Sequence, residues 1–125
     1  MNENVIENKC FDFAVRIVNL HKHLSAEKKE FILSKQLLLS GTSIGTNVSE
    51  ALKGQSKADF SAKMCIALKE ANESHYWIRL LYKTDFLLRR NLTVSKMMFS
   101  NSSKFYHLYV KHQPNNSALR CKIQN

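Results

Sequence analysis

The sequence predicts an all-α protein, an antiparallel up-down four-helix bundle with left-handed crossings. Three observations predict it. One proline and three glycines occur in 125 residues, so little interrupts regular structure. Apolar residues recur at alternating spacings of four and three along most of the chain, which gathers them on one helical face. The segments so defined are joined by short polar links, which favours neighbours running in opposite directions. A repeat of about 3.5 residues implies shallow, left-handed packing. One domain is expected at this length, with the bundle over residues 1–113 and a disordered C-terminal tail at 114–125.

The first segment runs from about Glu3 to His23, with Ile6, Cys10, Phe13, Ile17, Leu20 and Leu24 on one side. Ser25 offers an N-cap for the second, which continues to Lys53 with Leu33, Leu37, Ile44, Val48 and Ala51 inward and Gly54 as C-cap. Ser56 and Asp59 form a loose capping box before Phe60. The third segment carries Phe60, Met64, Ala67, Ala71, Ser74, Ile78, Leu81 and Asp85 at heptad spacing. Asn91 and Thr93 open the fourth, in which Val94, Met98, Phe105, Leu108 and His112 mark the inner side and Pro114 the end.

The stretch SGTSIGTN at 40–47 has the composition of a loop. A loop would throw the apolar stripe out of phase, yet Leu37, Ile44, Val48 and Ala51 stay in register across it. A second, polar row (Gln36, Ser40, Ser43, Asn47 and Glu50) keeps the same period. One helix therefore passes through Gly41 and Gly45. These share a face, where a neighbouring helix can approach closely and offset the roughly 1 kcal/mol each glycine costs. The third segment answers with Glu70 and Glu73 on one face, and Asn72, Ser74 and His75 nearby. Facing rows of this kind suit hydrogen bonding across the bundle or between subunits, where polar layers fix register and oligomeric state.

Little in the chain points to catalysis. No Walker-type or dinucleotide glycine pattern is present, and no cofactor motif. Glu70 to Glu73 gives E-x-x-E rather than the E-x-x-H of di-metal bundles, so no metal site is expected. His21 and His23 are two apart, a poor chelate on a helix, and no cysteine has a nearby histidine. Cys10, Cys65 and Cys121 lack C-x-x-C spacing and are expected as free thiols. No stretch reaches the roughly 18 apolar residues of a membrane span. MNENVIENKC lacks the layout of a signal peptide, so a cytoplasmic location is expected.

The net charge of +9 is uneven. Residues 1–85 hold twelve Lys/Arg against ten Asp/Glu, whereas residues 86–125 hold seven Lys/Arg and no acid. A one-signed region attracts polyanions such as RNA or DNA; the alternative is a solvated face that aids solubility. Candidate contacts are Lys83, Arg89, Arg90, Lys96, Lys104 and Lys111, with Tyr82, Tyr106 and Tyr109 available for stacking on bases.

Three pieces of sequence carry a family resemblance. They are S-I-x-x-N-x-x-E (Ser43, Ile44, Asn47, Glu50), Gln55-Ser56-Lys57 before Phe60, and A-L-K-E-A-x-E-x-x-Y-W from Ala67 to Trp77. Together, over about residues 8–90, they resemble the bacterial four-helix-bundle family encoded in intervening sequences of large-subunit ribosomal RNA genes. The chain differs from many members in having Leu38 and Leu39 where arginine or a second polar residue is common. The resemblance implies an antiparallel four-helix bundle, a homopentameric ring and no established enzyme activity. The accessory protein of diversity-generating retroelements looks like a relative; it is a basic pentameric ring that engages nucleic acid and a reverse transcriptase. The expected function is therefore a non-catalytic, homo-oligomeric, pentameric module that binds nucleic acid through a basic surface. The alternative is a protein-interaction scaffold using the Gly41/Gly45 groove or the Tyr76–Trp77 edge. Candidate helix or subunit contacts are Gln36, Ser40, Gly41, Ser43, Gly45, Asn47, Glu50, Glu70, Glu73 and Trp77.

Overall fold

A computed structural model describes residues 3–93. It contains three α-helices, α1 (Glu3–Ala26), α2 (Ile32–Leu52) and α3 (Lys57–Lys83), and one 3-10 turn, Arg89–Asn91. The fold is all-α, with no strand among the described residues. The expected fourth helix lies almost wholly outside them; of its start, Asn91 ends the 3-10 turn and Leu92 and Thr93 are helical.

Contacts between the helices fix their directions. Along α2, His21 meets Ser34, Ile17 faces Gly41 and Cys10 faces Gly45, so α1 descends as α2 climbs. Ser40 meets Ser74 and Glu50 meets Lys63, so α2 and α3 are also antiparallel. The inward stripes build one core. Ile6, Cys10, Phe13, Ile17 and Leu24 come from α1, Leu37, Ile44, Val48 and Ala51 from α2, and Phe60, Met64, Ala67, Ala71, Ile78 and Leu81 from α3. Leu20 and Leu33, at the edges of their stripes, are only partly buried.

Helix α2 runs unbroken through Gly41 and Gly45. A β-carbon on Gly41 would lie 2.9 Å and 3.0 Å from the two γ-carbons of the fully buried Ile17. One on Gly45 would lie 3.3 Å from the Cys10 β-carbon. The glycines thus set how closely α1 approaches. The hydroxyls around them bond back into their own helix: Thr42 donates to the Leu38 carbonyl at 2.7 Å and Ser43 to that of Leu39 at 2.6 Å. Asn47 donates to the Ser43 carbonyl at 2.8 Å. A loop-like composition is compatible with a helix because these side chains satisfy themselves without unwinding it.

Two boundaries differ from the sequence expectation. Helix α1 continues through Ser25 to Ala26, so Ser25 does not cap α2; its Oγ is buried in the last turn of α1 without a partner. Glu30 does the capping instead, its carboxylate accepting from the amides of Ile32 at 3.2 Å and Ser34 at 2.7 Å. An acid there also complements the positive helix end. Asp85 leaves the α3 stripe. Its φ of 70° is left-handed, and the amides of Asp85 and Phe86 bond back to the carbonyls of Tyr82 and Leu81. This is a Schellman stop with aspartate in the place usually taken by glycine. The Ser56 cap is as expected, accepting from the Asp59 amide at 3.1 Å.

Cys10 is a free, fully buried thiol. Burial first, and then the charge of Glu7, push its pKa up to about 12, so it stays protonated and unreactive at neutral pH. Cys65 is half-buried against the same core.

Candidate nucleic-acid interface

In an antiparallel arrangement the C-terminal ends of odd-numbered helices point the same way. The ends of α1 and α3 therefore meet, together with the α1–α2 loop and the 3-10 turn. A cavity of about 840 Å³ opens between them, lined by both segments: Asn19, Leu20, His23 and Lys28 from one, Phe86, Leu88 and Arg90 among those from the other. Three of the expected cations lie at this end, Lys83 in the last turn of α3 and Arg89 and Arg90 in the 3-10 turn, all exposed. Lys96, Lys104 and Lys111, with Tyr106 and Tyr109, lie outside the described residues.

The fold adds further cations to this end. Lys22, Lys28 and Lys29 are exposed on the last turns of α1 and the loop after it. They stand some sixty residues before Arg89 in the chain, within a half whose charges nearly cancel, so a charge tally hides them. The signal was topological: once α1 and α3 are read as neighbours of like direction, their C-terminal flanks must share an end. Glu27 and Asp85 are the acids of the cavity, while the Glu30 carboxylate is engaged by α2. Cations here also complement the negative ends of both helices.

The rest of the expected contacts divide by depth. Ser40 is buried, its hydroxyl 2.9 Å from that of Ser74, so this pair ties α2 to α3 inside the chain. Gly41 and Gly45 serve the α1–α2 contact. Gln36 and Glu50 are exposed, and Glu50 pairs with Lys63 at 2.7 Å. Such an exposed pair contributes at most about 1 kcal/mol. Ser43, Asn47, Glu70 and Trp77 are half-buried along the outer seam of α2 and α3, beside exposed Glu73. Trp77 packs edge-on to Tyr76, ring centres 5.2 Å apart, and its Nε1 is buried without an acceptor. Tyr82 is half-buried against the core, which limits it as a stacking platform.

Burial, then the charge of Glu73 and a hydrogen bond to it, raise the Glu70 pKa. Glu70 therefore holds its proton more tightly folded than unfolded. Its charged form costs stability above the ordinary carboxylate pKa, and the cost disappears as pH falls below it. Glu70→Gln is expected to raise the melting temperature slightly at neutral pH and to leave it unchanged below about pH 4. Calorimetry at the two pH values checks this, and an equal rise at both would contradict it. On α3, burial and then the Arg79 charge lower the His75 pKa, leaving the ring neutral at neutral pH. No three His, Cys, Asp or Glu side chains come together among the described residues in a way that could hold a metal.

The profile of the 23S rRNA-intervening sequence proteins matches residues 2–115. The chain belongs to the 23S rRNA-intervening sequence protein family. A crystal structure at 1.70 Å of a protein of unknown function from the S23 ribosomal protein family, from Bacteroides thetaiotaomicron, is similar. The two share 46% identity and a TM-score of 0.85, over 87% of this chain and 98% of that one. No curated protein matches the chain. Among the described residues no helix is long and apolar enough to cross a membrane.

Proposed function

We propose that this member of the intervening-sequence protein family is a non-catalytic, homo-oligomeric bundle that binds RNA or DNA through its basic end. The observation that carries the reading is the convergence of Lys22, Lys28 and Lys29 with Lys83, Arg89 and Arg90 at one end of the helices. A cluster of this sign with few acids concentrates phosphates and steers their approach. The proposal includes a fourth antiparallel helix from about Asn91 to Pro114, which adds further cations from the acid-free C-terminal third, and a cytoplasmic location.

Self-association is supported by the outer seam of α2 and α3. Exposed Leu39 and Ile66 flank it, and the unpartnered Trp77 Nε1 and the Glu70–Glu73 pair lie along it. A second copy on this seam would remove apolar surface from water and supply an acceptor for the indole. Five copies are favoured, and a ring would multiply the basic ends. Light scattering of the purified protein should give a mass about five times the 14.5 kDa of the chain, rising further when RNA is added at low salt. A mass of one chain, unchanged by RNA, would remove both parts of the proposal.

A further inference from the structure

A basic surface that binds only duplex backbone has no need of a cavity, because phosphates lie on the outside of a double helix. The basic end of this chain has one. Leu20, Phe86 and Leu87 line it with apolar surface, and Lys28 and Arg90 supply its cations. Leu88 is 58% exposed beside it. Backbone bonds hold the wall in place: the Schellman turn fixes Phe86, and the Leu88 amide donates to Asn91 Oδ1 at 2.8 Å. Glu27 and Asp85 also line the cavity and would repel a phosphate placed inside it. Carboxylates do, however, accept from the N–H groups on the edge of a nucleobase. Apolar surface for a base face, carboxylates for its N–H edge and cations for the flanking phosphates together describe an unpaired nucleotide.

We infer that the cavity between the end of α1 and the exit of α3 takes an unpaired base of a single-stranded nucleic acid, the adjoining phosphates lying on Lys28 and Arg90. The inference rests on the nucleic-acid reading above and names the form of its ligand. In a duplex the base edges are paired and the faces stacked, so only the phosphate contacts remain.

The test is fluorescence anisotropy with labelled RNA and DNA strands of about twelve nucleotides, each as a single strand and as a duplex of the same length. The single strands should bind at least about tenfold more tightly than the duplexes, in keeping with the energy of one stacked base. Equal affinity for RNA and DNA strands would assign recognition to base and phosphate, and an RNA preference would add a contact to the 2′-hydroxyl. Asn19 is exposed on the cavity wall, so Asn19→Trp fills the space without touching the core. That variant should lose the single-strand preference and keep its duplex affinity. Duplex binding as tight as single-strand binding, or an Asn19→Trp variant that keeps the preference, would overturn the inference while leaving the nucleic-acid reading intact. Failure to bind any of the four probes would overturn both.

Discussion

Gly41→Val is expected to destabilise the protein by about 3 kcal/mol and to lower its melting temperature by on the order of 10 °C. Even the first added carbon meets the γ-carbons of Ile17 at 2.9 Å and 3.0 Å, and two more must follow it. Ile17 cannot swing aside, because it is fully buried and its neighbours along α1, Phe13 and Leu24, are fixed in the same core. The helix itself would gain from losing a glycine, but only by about 1 kcal/mol or less, so overpacking wins. At Gly45 the nearest contact is looser, 3.3 Å to the Cys10 β-carbon. Gly45→Ala should therefore cost much less than Gly41→Val. Chemical denaturation of the two variants beside the parent protein gives the comparison, and a Gly41→Val protein as stable as the parent would mean α1 does not press on α2 there.

The second large effect concerns binding. Reversing Lys28, Arg89 and Arg90 to glutamate should weaken binding to single-stranded RNA by about a hundredfold or more at low salt and flatten its salt dependence. All three side chains are exposed, so helical content should be unchanged. Reversing Lys9, Lys53 and Lys69 alters the net charge equally but leaves the basic end intact. That control should lose far less affinity. Equal losses in the two triple variants, read by anisotropy in one buffer, would show that overall charge and not the assembled end governs binding.

Much of the fold was legible because apolar spacing is a direct imprint of helix geometry. The stripes of α1, α2 and α3 form the core almost residue for residue, and the continuity of α2 through Gly41 and Gly45 followed from the unbroken phase of Leu37, Ile44 and Val48. Helix ends were less legible, since several residue types can stop or start a helix. Ser25 has good capping chemistry, yet the apolar Leu24 holds the turn in α1 and Glu30 captures the α2 amides. Asp85 keeps heptad spacing, but the Schellman turn removes it from the stripe. The candidate site was legible only in half. Lys83, Arg89 and Arg90 stood out by charge, whereas Lys28 and Lys29 gain meaning only when α1 and α3 are placed side by side.

Engagement of a polyanion by the basic end should show in its response to salt. The most direct measurement is the affinity of the unaltered protein for a single-stranded RNA across a salt series. Log affinity should fall linearly with log salt concentration, with a slope of about −0.7 for each phosphate neutralised and several phosphates engaged. Affinity that does not change with salt, or no binding at the lowest salt, would contradict such engagement.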